Sequence, residues 1–183
     1  MRFTTVLTLF LASSVAAQYS THWLSAWKVF ENEVAKYMKQ WGRTTDQVLG
    51  SSTPLPLTEM NESLKGLDNS WRKFAQILDA ANRKDSTPAD NAQMCNHMPR
   101  EFRLMADNGD KMRRLGIEVK SKGASKYQGI EVTRTNLQGV QGSFETVSRS
   151  LSRQGLDSCQ GDYMAARNDA KAKLDAAVRA WRA

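Results

Sequence analysis

"CNHMPREFRLMADNGDKMRRLGIEVKSKGASKYQ", residues 95 to 128, opens on a cysteine, carries one long apolar stripe and ends in a turn. Met98, Phe102, Met105, Met112, Leu115 and Val119 recur at spacings of three, four and seven, which is the beat of one helix face. Gly123 marks the stop. From Cys95 to about residue 122 such a helix travels roughly 40 Å at 1.5 Å per residue. A short turn reverses the chain, and a return helix of similar length ends near Cys159. A fifth helix then starts beside the beginning of the third. Cys95 and Cys159 fall in the same layer on neighbouring helices, so one disulfide fits up-and-down packing.

The same beat runs outward in both directions. Upstream it reads Trp23, Trp27, Phe30, Val34, Tyr37, Trp41, and then Met60, Leu64, Leu67, Trp71, Phe74, Leu78. Downstream it reads Tyr127, Ile130, Leu137, Val140, Phe144, Val147, Leu151, and then Tyr163, Ala166, Ala170, Leu174, Ala177, Trp181. No stretch alternates with period two long enough to make a strand. The pattern predicts an all-α, up-and-down bundle of about five helices, near 21–41, 58–84, 88–122, 125–153 and 156–181, stapled by Cys95–Cys159. Thr87, Pro88 and Asp90 give a start signal for the third helix. Ser125 with Gln128 predicts a capping box for the fourth, and Gly155, Asp157 and Gln160 repeat that logic for the fifth. Pro99 predicts a kink or a split. "GRTTDQVLGSSTPLPL", residues 42–57, reads as an irregular loop in which "TTDQVL" has room for one helical turn.

The first seventeen residues read as a secretory signal peptide. Arg2 is followed by a short apolar run, with Val15 and Ala17 at the cleavage-site positions. That run is too short to span a bilayer, and no later stretch does better. The expectation is a secreted, extracellular chain with no transmembrane anchoring, a single helical-bundle domain over 18–183. Oxidising surroundings favour the disulfide. Taking Arg2 off the formal charge of +7 leaves +6, which favours an anionic partner. Asn61 opens "NES", a possible N-glycosylation sequon.

Chemistry-bearing motifs are scarce. The two histidines, His22 and His97, have no second ligand at metal spacing, so no metal or other cofactor is expected. Glu31 and Glu33 point in different directions on a helix, and Asp107 and Asp110 flank Gly109 in a charged run. With no nucleophile elbow, phosphate loop or cysteine–histidine arrangement, an enzyme is not expected. The basic run "KMRRLGIEVKSKGASK" offers Lys111, Arg113, Arg114, Lys120 and Lys122 as a docking face for an anionic protein or polysaccharide surface. No aromatic lies among those charges to stack bases, which argues against nucleic acid. The tryptophans all fall on the apolar beat and read first as core. A core of tryptophan and methionine, opposite Gly129, Gly139 and Gly142, leaves a second reading. It is a cavity for a fatty acid or sterol lined by Trp23, Trp27, Met98, Met105 and Phe144.

The start "MRFTTVLTLFLASSVAAQ", the small size and the single cysteine pair resemble the small secreted proteins of filamentous fungi, effector candidates among them. In organisation the chain is similar to the hydrophobic-surface-binding and cell-wall mannoprotein group, which pairs a signal with an all-helical domain that can hold lipid. It departs from that group in its charge, its tryptophans and its two cysteines. The resemblance implies a secreted non-enzymatic binding protein, effector-like or wall-associated, that acts through a partner-contact surface. The alternative it implies is a carrier of an apolar ligand.

Overall fold

The structure, a computed structural model, describes residues 21–81, 87–159 and 161–182. The signal-like segment and the expected mature start at Gln18 lie outside these residues. So do the predicted end of the second helix at 84 and the proposed cap Gln160. Among the described residues there are five helices and no strand. We number them α1 to α5. Helix α1 runs as an α-helix over Thr21–Val29, widens to a π turn over Phe30–Val34, and resumes as an α-helix over Ala35–Leu49. Then follow α2 (Thr58–Ala80), α3 (Pro88–Lys122), α4 (Ile130–Arg153) and α5 (Asp162–Trp181).

The π turn has a cause in the sequence. Ala26, Phe30, Val34 and Met38 are all buried, and each lies four residues after the last. In a regular helix of 3.6 residues per turn such a stripe drifts by about 40° per step. One extra residue in the Phe30–Val34 turn absorbs that drift and returns the stripe to the core. Downstream of the turn Met38 is therefore fully buried, and Tyr37, which the regular beat selects, is only half-buried.

Helix α1 also runs on to Leu49, so the irregular connection is 50–57 and not 42–57. Gly42 and two β-branched threonines are weak helix formers. Tertiary packing overrides them. Thr44 Oγ1 donates to Gln40 O at 2.9 Å and Thr45 Oγ1 to Trp41 O at 2.8 Å, and both side chains are buried. At the head of α3 the sequence signal is realised in full: Thr87 and Asp90 form a reciprocal capping box, with Pro88 at the first position. Pro99 is buried within α3, which continues past it unbroken. The predicted Ser125–Gln128 box does not form, and Asp157 lies within a turn ahead of the last helix. Short 3₁₀ turns, Ala124–Lys126 and Leu156–Ser158, occupy those places. Helices α4 and α5 instead begin after Gly129 (φ +88°) and Gly161 (φ +69°), backbone conformations that favour glycine.

Chain direction alternates from helix to helix, but consecutive helices are not always neighbours. Around the bundle the order is α1, α2, α4, α5, α3 and back to α1. The two closest seams join helices that run the same way. In α3–α5, Cys95 bonds Cys159 at a Cα separation of 5.6 Å, and Trp181 packs on Gly116 far along the same seam. In α2–α4, Asn136 Nδ2 donates to Asn61 O (3.1 Å) at one end and Gln154 Nε2 to Leu78 O (2.7 Å) at the other. The core between them is aromatic. Trp71 meets Phe30, Phe74 and Phe144 at centroid distances of 5.9, 5.8 and 6.3 Å. Phe102 lies edge-on between Phe144 and Tyr163. Burial pushes the Tyr163 phenol up to about 12, so it stays neutral at physiological pH.

Glycine sets how closely α3 and α5 approach. A Cβ on Gly109 would lie 3.0 Å from the Lys173 carbonyl carbon, and one on Gly116 would lie 2.9 Å from the Trp181 indole. The same indole Nε1 donates to Met112 O at 2.8 Å. Gly116→Ala is therefore expected to displace the ring and weaken that bond, at a net cost of about 1–2 kcal/mol despite its helix-propensity gain. Urea unfolding checks it; a variant as stable as the parent would show that the seam gives way freely.

Candidate functional site

The five cations proposed as a docking face do not share a face. At about 100° per residue, Lys111, Arg114 and Lys122 fall on one flank of α3 while Arg113 and Lys120 fall on the opposite one. Each is also engaged within the protein. Lys111 Nζ lies 2.6 Å from Asp46 Oδ2 on α1. Arg113 and Arg114 both pair with Asp110, at 3.1 and 3.5 Å. Lys122 pairs with Glu118 at 2.6 Å, and that hydrogen bond raises its pKa. Lys120 donates to the Arg182 carbonyl.

Several cations elsewhere have no ion pair among the described residues, and three of them are aligned. Lys36, Lys39 and Arg43 lie at i, i+3 and i+7 on α1, one exposed stripe with no carboxylate bonded to any of them. Lys36 Nζ sits 5.6 Å from the centroid of the Tyr37 ring. With Gln40 these three line a shallow hollow of about 320 Å³.

Beside this stripe a groove follows the α1–α3 seam. One part, about 560 Å³, is lined by Lys39, Arg43, Asp46, Leu104, Asn108 and Lys111. Its floor is unusual. Asn108 is fully buried; its Nδ2 donates to Met38 O at 2.8 Å, and its Oδ1 has no partner. Gly42 allows this, since a Cβ there would lie 2.5 Å from that oxygen. The second part, about 320 Å³, lies beside the π turn and is lined by Trp27, Phe30, Glu31, His97, Arg100 and Glu101 among others. Lys39 borders both parts. Trp27 stacks on Phe30 (5.3 Å, 22°) and meets the exposed His97 ring edge-on at 5.3 Å. Trp27 is the one tryptophan of the five that is not fully buried.

The proposed apolar cavity residues are packed. Trp23, Met98, Met105 and Phe144 are all core side chains at 4% exposure or less. The glycines thought to leave volume opposite them do not face that core. Gly139 approaches Asp68, Gly129 approaches Asn61, and Gly142 faces open space. A larger open groove lies elsewhere, about 770 Å³ between the end of α1 and the 50–57 connection, with Val48, Leu55, Pro56 and Met60 in its lining. Asn61 is buried in the first turns of α2, with its Nδ2, the atom a glycan would occupy, directed at Gly129 O at 3.3 Å.

Among the described residues no group of three or more histidine, cysteine, aspartate or glutamate side chains converges as a metal set. None of the described helices is long and apolar enough to cross a membrane. In comparisons with models of known protein families, with curated proteins and with solved structures, the chain matches none.

Proposed function

We propose that this is a secreted, non-enzymatic binding protein that holds an acidic polysaccharide along the α1–α3 seam. The observation that carries the reading is the contrast between its two sets of cations. The five between 111 and 122 are each tied to a carboxylate or a carbonyl within the bundle. Lys36, Lys39 and Arg43 are aligned, exposed and unspent. Secretion rests on the signal-like residues 1–17, and the Cys95–Cys159 bridge suits an oxidising compartment.

Among the described residues the large apolar side chains that are exposed, Leu24, Leu55, Ile117 and Val132, are scattered and none belongs to the stripe. A membrane surface or a protein interface would call for an apolar contact beside the charges. A chain of acidic sugars presents regularly spaced anions and needs no such anchor. The groove runs beside about twenty residues of α1, or roughly 30 Å, long enough for several sugar rings.

Replacing Lys36, Lys39 and Arg43 together with glutamine is expected to weaken binding to a polyuronate by about tenfold or more. Binding by the parent should fall steeply with added salt. Replacing Arg113, Arg114 and Lys122 with glutamine should change the affinity by less than about twofold, since all three are paired and none lines the groove. Calorimetric titration of both triple variants tests the proposal. Equal binding by the parent and the α1 triple variant would overturn it.

A further inference from the structure

The small cleft beside the π turn differs from the rest of the seam in its balance of charge. Glu31 and Glu101 face Lys39 and Arg100 across it, so the formal charges cancel, and Trp27 gives it an aromatic wall. It also holds an unmet demand. Glu101 Oε2 is enclosed and has no hydrogen-bond partner, although an ionised carboxylate oxygen is a strong acceptor. A donor from outside satisfies it once the carboxylate turns toward the cleft.

We infer that this cleft is a subsite for one uncharged pyranose ring. A pyranose has an apolar face of C–H groups, which suits the electron-rich indole of Trp27. Its rim of hydroxyls both donates and accepts: one hydroxyl donates to Glu101 Oε2, and others accept from the Arg100 guanidinium. An isolated organic cation fits less well, because Lys39 and Arg100 oppose it. The volume, about 320 Å³, is at the lower end of the range for small-molecule sites. The widened turn that begins at Phe30 carries Phe30 and Glu31 to the cleft wall, and π turns are frequent at functional sites. The inference deepens the polysaccharide reading, since Lys39 joins the cleft to the cationic groove, but its chemistry does not depend on the cations.

The test is a two-dimensional NMR titration of the full secreted chain, following the Trp27 indole N–H. The probes are neutral tetrasaccharides of glucose, mannose, galactose and N-acetylglucosamine, with a tetra-uronide and choline as further arms. At least one neutral probe is expected to shift the Trp27 signal. Its affinity, read from the Trp27 signal in Glu101→Ala and from the backbone amides of the cleft in Trp27→Phe, should fall about fivefold or more, both variants being chosen to keep the fold. No shift from any neutral probe, or an undiminished affinity in Glu101→Ala, would overturn the subsite, as would a Trp27 shift with choline alone. If the tetra-uronide binds through Lys36, Lys39 and Arg43 while Trp27 stays silent toward neutral sugars, the subsite fails and the seam reading stands. If neutral sugars shift Trp27 and the tetra-uronide does not bind, the seam reading fails and the subsite stands.

Discussion

Trp71→Ala is expected to cost about 4 kcal/mol, the largest loss of any single side chain in the bundle. The indole is 0% exposed and meets three aromatic rings, from α1, α2 and α4. Those rings are held on different helices, so none can collapse into the space without moving its own helix. The cost therefore includes the cavity as well as the lost transfer energy. In a domain of this size the midpoint of thermal unfolding should fall by roughly 10 °C. Trp27→Ala is the control, because that ring is only partly buried and lines an open cleft, so its removal leaves a wider groove rather than an enclosed void. Differential scanning calorimetry on both variants checks the contrast. Equal losses would mean that Trp27 is as structural as Trp71.

Replacing Cys95 and Cys159 together with serine should remove a comparable amount, about 4 kcal/mol on the chain-entropy account. The bridge spans 64 residues, which take in most of α3, the whole of α4 and the turns between. In the unfolded chain it forbids those residues their wider excursions. In the folded chain it ties two helices that already pack along their length. The double variant is therefore expected to keep its helical circular dichroism at 25 °C while its denaturant midpoint falls. A loss below about 1 kcal/mol would show that the unfolded chain already holds the two ends together without the bond.

The architecture was legible because the apolar stripes are long and regular. Trp71, Phe74, Phe102, Phe144 and Trp181 all fall on the beat, and all are buried. The cysteine pairing followed from there being two cysteines in a chain read as secreted, and the helix lengths agreed with it. Helix ends were harder to read. Glycine at positive φ begins α4 and α5, and a polar capping pair nearby in sequence gave a competing signal that the chain does not use. The end of α1 was missed because Gly42, Thr44 and Thr45 carry poor propensity, and only their partners Asn108 and Met112 on α3 compensate. A density of like charges in sequence pointed to 111–122. The carboxylates that neutralise it are local, as Asp110 and Glu118 are, or come from another helix, as Asp46 does. The unpaired stripe at 36, 39 and 43 was visible as an i, i+3, i+7 pattern, but its lack of partners could be known only once the neighbouring helices were in place. The ring order, which sets α3 beside α1, is likewise a property of the assembled bundle.

The π turn gives α1 one residue more than a regular helix would need to join its two buried stripes. Seen as a change in a gene, that is a three-base insertion, and its effect is confined. Residues before and after it, Ala26 and Met38 among them, keep their apolar faces toward the core, while Phe30 and Glu31 at the turn line the cleft. A helix interior is ordinarily a poor place to gain a residue, because every later side chain turns by about 100°. Here the surplus is absorbed within five residues. A lineage carrying such a chain has a route to alter its contact surface by changes of length as well as of residue type, with the bundle's core left alone.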